Sequence, residues 1–328
     1  MRISSLLFLS LFTVSAYAQQ VYGDQPLAHT YSIVAYDPNT GEMGAAVQSH
    51  WFSVGSMVIW GEPGVGVVAT QSFVNPNYGP EGLRLLKIGI APVTVVGQLT
   101  SRDNGRDYRQ VAVLNAKGAV DAFTGKNCID AAGHYVGENF SVQANLMDND
   151  SVWIKMARAY EGAAGLPLAE RMMAALEAGQ AAGGDIRGQQ SAAMIVVSGD
   201  AKQPAWKKEV DLRVEDSQAP LVELKRLLQV HRAYEHMNKG DLAVEKGDQA
   251  TALKEYAAAE ALFPDNLEMK YWHAVALVNM DKLAEALPLF AQVFQKDEKW
   301  RTLTPRLIDS ELLKVDEAQL QQILNAGK

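Results

Sequence analysis

Polar side chains gather at the ends of apolar runs, and these are the residues with chemistry to offer. Gln48-Ser49-His50, Thr70-Gln71-Ser72, Gln143 with Asn145, and Gln189-Gln190-Ser191 each border a stretch of small and β-branched residues. Amides and hydroxyls so placed either satisfy one another in a buried network or line a pocket. Ionisable chemistry is sparser. The six histidines, His29, His50, His134, His231, His236 and His273, are scattered, and His231 and His236, five residues apart, do not share a helix face well. There is no His-Glu-x-x-His and no Cys/His cluster, so no metal site and no cofactor are expected. Gly64-Val65-Gly66 precedes a strand rather than a helix and reads as a tight strand entry, not a phosphate cradle. Gly-x-Ser-x-Gly is absent. Cys128 is the single cysteine, with no thiol motif around it; it is expected to be a buried structural thiol.

The elements that must position these groups follow from pattern. Thr30 to Tyr36 and Met43 to Gln48 read as a hairpin around the turn signal Asp37-Pro38-Asn39-Thr40-Gly41. Ser56 to Trp60 and Val65 to Gln71 are the next strands, split by Glu62-Pro63-Gly64. Helices are expected at Pro80 to Lys87 and Pro92 to Thr100, and a second hairpin at Gln110 to Asn115 and Ala119 to Thr124. Phe140 to Leu146 is a strand, Val152 to Ala163 and Pro167 to Ala178 are helices, and Ser191 to Val197 pairs with Trp206 to Val214. Strands and helices do not alternate strictly, which favours antiparallel sheets with helices on their outer faces over a parallel doubly wound sheet.

From Leu221 onward glycine becomes scarce and the texture is helical. A repeat appears at an offset of 34: Ala243 with Leu277, Ala252 with Ala286, Leu253 with Leu287, Tyr256 with Phe290, and Gly247 with Asp281 in the turn. Ala-Leu-x-x-Tyr/Phe at this period is the tetratricopeptide (TPR) pattern, in which small residues let paired helices approach and large ones fill the gap. Two such units are fewer than the three usually needed for a free-standing array, so they are expected to lean on the preceding helix, the first domain or another subunit.

The start reads as a secretion signal. Arg2 supplies the charged region, Ile3 to Val14 the apolar region and Ala16-Tyr17-Ala18 the cleavage site, placing the mature start at Gln19. The expected domains are therefore a signal peptide (1–18), a linker (19–29), an α+β domain (30–220) and a TPR-like all-α domain (221–328). The protein is expected to be periplasmic or secreted, with no membrane span once the signal is removed. With 48% hydrophobic residues the chain can bury a core, and a formal charge of −8 without dense basic runs disfavours nucleic acid as a partner.

Five segments together carry a family resemblance: Thr30 to Asp37, Gly66 to Gln71, Asn75-Pro76-Asn77-Tyr78-Gly79-Pro80, Gly133-His134, and Gly179 to Ala192. Over residues 29 to 228 the chain resembles the DUF1028 family, a largely uncharacterised group assigned to the N-terminal nucleophile (Ntn) hydrolases. The resemblance implies a four-layer αββα sandwich and an amide hydrolase in which a freed N-terminal residue attacks a carbonyl. Its own α-amine, with an ordinary pKa of about 7.7–8.0, takes the hydroxyl proton. Thr30 matches the nucleophile position. It lies eleven residues beyond the expected signal cleavage site, so the reading needs a second cut, between His29 and Thr30. Thr30 is otherwise simply a β-branched strand starter. Ser32, inside the strand, is a weaker nucleophile candidate.

On the same resemblance Asn145 is an oxyanion donor, next to Ala144 where relatives often have Gly. Asp185 and Arg187 orient the nucleophile or bind a substrate carboxylate, or else form a structural ion pair. His50 is an acid/base or a satisfied polar residue, and with Gln71, Gln190 and Ser191 it makes up the expected substrate-binding set. His134 reads as a turn residue. Two functions follow: an exported Ntn-type amidohydrolase acting on a small amide or peptide, with cell-wall peptide suggested by location, or a non-catalytic binding or assembly module recruiting a protein partner through its TPR units. A homodimer is implied by analogy with other Ntn proteins.

Overall fold

The computed structural model describes residues 27–328. The expected signal peptide and residues 19–26 of the expected linker lie outside the described residues. The chain divides into two compact units, with the boundary between Lys225 and Arg226.

The first unit is mixed α+β. Its strands are β1 (Leu27–Ala28), β2 (Thr30–Tyr36), β3 (Met43–Ser49), β4 (Ile59–Glu62), β5 (Gly66–Phe73), β6 (Arg109–Asn115), β7 (Val120–Thr124), β8 (Gly133–Gly137), β9 (Phe140–Ala144), β10 (Ser191–Val197) and β11 (Val210–Val214). Its helices are α1 (Tyr78–Lys87), α2 (Pro92–Ser101), α3 (Val152–Gly162) and α4 (Leu168–Ala181). One sheet runs β1-β5-β6-β7, with β4 also on β5; the other runs β11-β10-β3-β2-β9-β8. Every strand pair is antiparallel.

Strand parity explains the layering. Successive side chains point to opposite faces. Val34, Ala45, Val47, Val67, Ala69, Ala112, Leu114, Ala193 and Ile195 form one apolar cluster between the sheets. The alternate residues Val68, Val111 and Val113 pack instead on Leu83, Leu86, Val95 and Leu99 of α1 and α2. On the far side of the second sheet, Tyr31 Oη donates to Gln180 of α4 at 3.1 Å. Gly44 lets α4 come close: a Cβ there would sit 2.3 Å from Met172 Cε. With both faces covered, β3 and β10 are buried along their whole length, which is why they read as continuous apolar runs rather than alternating ones.

Some expectations shift. The first strand is preceded by β1, which pairs with β5, where a linker was expected. β11 starts at Val210 rather than Trp206; a turn closed by Lys207 N–H on the Pro204 carbonyl holds that stretch out of the ladder, and Trp206 is exposed. His134 lies on β8 rather than in a turn, opposite Gln143 of β9.

Helix α5 (Pro220–Glu245) runs across the boundary into the second unit; from Arg226 on, it and α6 (Gln249–Leu262), α7 (Leu267–Asn279) and α8 (Leu283–Lys296) form successive hairpins, followed by α9 (Lys299–Leu303), α10 (Arg306–Asp309) and α11 (Glu317–Asn325). Residues offset by 34 sit in equivalent places. Ala252 and Ala286, and Tyr256 and Phe290, are all buried. Gly247 and Asp281 both turn the chain with left-handed φ, 71° and 59°. Phe290 is fully buried, with its ring 5.6 Å from Tyr271 and 5.5 Å from Phe294. Phe290→Ala is expected to destabilise this unit by about 3–5 kcal/mol, read as a lower midpoint in urea denaturation of the full chain followed by far-UV circular dichroism.

Candidate functional site

The face between the sheets changes character along its length. Thr30 and Ser32 share the parity of Val34, Ser49 that of Val47, Gln71 that of Ala69, Gln110 that of Ala112, and Ser191 that of Ala193. The inter-sheet core is therefore apolar at one end and amide- and hydroxyl-lined at the end where β2 begins. Gln48 has the opposite parity and does not join this set.

A buried amide left unpaired costs about 1–3 kcal/mol, so the polar end must be bonded internally. It is. Gln71 Nε2 donates to Gln110 Oε1 (2.6 Å), to the Thr30 carbonyl (3.1 Å) and to the Gln143 carbonyl (3.3 Å), while Gln71 Oε1 accepts from Ser32 Oγ (2.6 Å). Gln143 Nε2 donates to Ser32 Oγ at 2.7 Å. Gln110 Nε2 donates to the Ala144 carbonyl (3.0 Å), the Gly133 carbonyl (3.1 Å) and Thr124 Oγ1 (2.8 Å). Thr124 Oγ1 lies 2.7 Å from His134 Nδ1. His134 borders a surface cleft of about 790 Å³, lined also by Cys128, Asp130, Asp150 and Trp153. Burial pushes the Cys128 thiol up, and its Sγ bonds the Arg109 carbonyl, so it is held protonated.

This network closes on Thr30 and its carbonyl. Thr30 is fully buried and opens β2. Its carbonyl accepts from the Asn145 N–H at 3.1 Å and from Asn145 Nδ2 at 3.3 Å. Asn145 Nδ2 also donates to Gln110 Oε1 at 3.0 Å. Those two acceptors fix which way the Asn145 amide points, and leave its Oδ1 facing His29 Nδ1 at 2.9 Å. The His29 ring is almost fully buried, edge-on to Phe73 with centroids 5.7 Å apart. Burial lowers its pKa, with the Arg187 charge acting in the same direction and Asn145 and Asp185 opposing. A depressed imidazole pKa means that acid favours the ring outside its pocket: the contribution is lost as pH falls through the ordinary value of about 6.5.

The carbonyl of His29 carries two donors. Ser49 Oγ donates at 2.5 Å and Arg187 Nη2 at 3.0 Å. Arg187 is aimed by Asp185. The Asp185 Oδ1 accepts from Arg187 N and Nε, both at 3.0 Å, and its Oδ2 accepts from Arg187 Nη2 at 2.7 Å and from the His50 N–H at 3.2 Å. The Asp185 side chain is fully buried; that of Arg187 is 30% exposed. The loop bearing both is brought in by Leu146, whose left-handed φ of 58° turns the chain after Asn145. The Leu146 carbonyl then accepts from the Ile186 N–H, and Met147 bridges to Asp185.

Asn145, Asp185, Arg187 and Gln71 thus gather around Thr30 on two successive peptide groups. Arg187, held by Asp185, is on the His29 carbonyl, whereas Asn145 and Gln71 are on the Thr30 carbonyl, so Asn145 does not donate to the carbonyl that precedes Thr30. The other expected residues stand apart by their side chains. His50 is exposed and gives Asp185 only its backbone N–H. Gln190 is half-buried and bonds Asp216 at 3.2 Å. Ser191 Oγ donates to the Trp51 carbonyl and accepts from the Val54 N–H, tying down the loop after β3. From sequence, Ser49 stands out only as one of the polar strand-end residues, and Gln110 and His29 are given no role in the site. The first two carried a signal, polar residues at the inward parity of strands otherwise made of Val, Ala and Leu. Among the described residues no group of three or more His, Cys, Asp or Glu could hold a metal ion, and no helix is long and apolar enough to cross a membrane.

Fold and site together define an α+β protein with two facing antiparallel sheets and a buried amide network at one end, followed by a helical unit. A model for a family of unknown function (DUF1028) matches residues 30–224. The chain belongs to that family. The crystal structure of a DUF1028 protein from Silicibacter pomeroyi is similar, at 33% identity and a TM-score of 0.56, over 62% of this chain and 88% of that one. An ancestral β-subunit, Anbu, from Yersinia bercovieri aligns at 11% identity and a TM-score of 0.33, over 60% and 92% of the two chains. No curated protein matches.

Proposed function

We propose that this protein is an exported amide hydrolase of the N-terminal nucleophile type, with Thr30 as nucleophile, and that its helical unit is a TPR module that recruits a protein partner. The observation that carries the enzymatic reading is the pair of donors, Ser49 Oγ and Arg187 Nη2, on the carbonyl just before Thr30. Two preorganised donors on one buried carbonyl are what a tetrahedral oxyanion needs, each contributing about 2.7–4 kcal/mol to the barrier in other hydrolases.

The chemistry proceeds in two stages. In the intact chain Thr30 Oγ1 attacks the carbonyl carbon of His29 and the oxygen becomes an anion held by Ser49 and Arg187. The C–N bond breaks, the Thr30 nitrogen takes the hydroxyl proton, and His29 is left as an ester on Thr30 Oγ1. Water hydrolyses that ester, giving a His29 carboxylate and a free Thr30 amine. In the mature chain this amine removes the Oγ1 proton during attack on a substrate amide and delivers it to the leaving nitrogen. Asp185 holds the Arg187 fork in position throughout. A small amide or peptide, cell-wall derived, is the substrate class that goes with export.

The test is the intact mass and N-terminal residue of the exported protein. A chain beginning at Thr30 is expected. A stable chain beginning at Gln19, with the His29–Thr30 bond whole and no amide turnover, would leave the non-catalytic assembly role and sink the hydrolase.

A further inference from the structure

The segment before Thr30 is held more like a bound ligand than a tether. β1 adds to β5 as an antiparallel strand, Leu27 opposite Phe73 and Ala28 opposite Ser72. Main-chain pairing of this kind binds an extended peptide whatever its sequence, while pockets for individual side chains select it. The side chain that fills a pocket is His29. Its ring is buried, its Nδ1–H is aimed at Asn145 Oδ1 at 2.9 Å, and Phe73 closes one edge at 5.7 Å. The next atoms along the chain are the polarised carbonyl and the bond to Thr30. Phe73, Asn145, Ser49, Asp185 and Arg187 all lie C-terminal to that bond, so the pocket and its donors stay with the domain when the segment leaves.

We infer that residues 27–29 occupy the acyl half of the substrate site, so that the mature enzyme takes extended peptides, adds them as a strand to β5 beside Ser72 and Phe73, and cuts after a residue whose side chain offers one uncharged N–H, histidine above all. This rests on the hydrolase reading and deepens it. The selectivity follows from the pocket. The Asn145 Oδ1 is an acceptor whose orientation is fixed by its own two donated bonds, so an apolar residue there leaves it buried and unpaired. A lysine would bring a second cation beside Arg187, and a carboxylate would set oxygen against oxygen at Asn145. A glutamine can donate but lacks the ring that meets Phe73.

The chain beginning at Thr30 should be given a panel of acetyl-Leu-Ala-X-p-nitroanilides, with X as His, Gln, Ala, Lys or Glu. The expected result is a kcat/KM for His at least about tenfold above that for Ala, with Lys and Glu lowest, a difference of the size expected when a site's buried polar group is left without its partner. Acetyl-Leu-Ala-His with a free carboxylate should compete with the substrate, and acetyl-Leu-Ala-Ala should compete at least about tenfold more weakly. A chain that begins at Thr30 but shows no preference for His over Ala, or cleaves none of the panel, overturns this inference and leaves the hydrolase standing. If no chain begins at Thr30, both fall. Because only the substrate varies, no outcome depends on whether a variant folds.

Discussion

Thr30→Ala is expected to leave the His29–Thr30 bond intact and to lower amide turnover by roughly 10³-fold or more, as removal of a nucleophile does elsewhere. The fold should survive the change. The substitution deletes a hydroxyl and a methyl at the start of a strand whose first carbonyl is held by three donors, the backbone N–H and Nδ2 of Asn145 and the Nε2 of Gln71, and which stays in register with β3. Only about 1–2 kcal/mol of stability is at stake in such a truncation. Thr30→Ser keeps the hydroxyl and the amine, and is expected to retain both cleavage and turnover. Mass spectrometry of the two purified variants separates the cases. Equal processing of Thr30→Ala and wild type would assign the cut to another protease and remove the chemical role from this side chain.

Arg187→Ala is expected to be the most damaging change outside the nucleophile. It strips the Asp185 carboxylate of its two bonds to the guanidinium group, leaving a fully buried charge with only the backbone N–H donors of His50 and residue 187. Breaking one side of a buried ion pair costs about 3–5 kcal/mol; with Arg187 partly exposed, the lower end applies. The same variant loses one of two donors on the His29 carbonyl, so chain cleavage should slow by about 10²–10³-fold. Arg187→Lys keeps the charge but not the fork and should fall between. The double variant Asp185→Asn with Arg187→Ala should be more stable than Arg187→Ala alone, because no buried charge remains. An urea midpoint for Arg187→Ala equal to that of the wild type would mean that the pair carries no stability.

Much of the architecture was legible because it is written in local periodicity. The 34-residue offset places Ala252 with Ala286 and Gly247 with Asp281, and the three-dimensional arrangement gives these pairs matching burial and matching left-handed turns. Strands such as Thr30–Tyr36 and Ser191–Val197 announced themselves by β-branched and small residues between turn signals. The site was legible only where side-chain type coincided with a strand end. The roles of Ser49 and Gln110 were not legible because they lie in parity relative to partners 20 to 39 residues away, which register decides and spacing along the chain does not. His29 escaped because two residues of strand, Leu27–Ala28, are too short to give a period-2 signal, so the segment read as a linker. Trp206 misled for the opposite reason: its aromatic character suggested a strand that the Pro204 turn prevents.

The polar end of the inter-sheet face is assembled from Ser32, Gln71, Gln110, Thr124, Gln143 and Asn145, which are amides and hydroxyls without exception. None of them gains or loses a proton between acid and alkaline extremes that a folded protein tolerates. The amide and hydroxyl network behind Thr30 therefore carries no titrating group of its own. The ionisable groups stand at its borders: the imidazole of His29 in the intact chain, the Asp185–Arg187 pair beside it and, on the proposed cut, a Thr30 amine that takes the place of that imidazole.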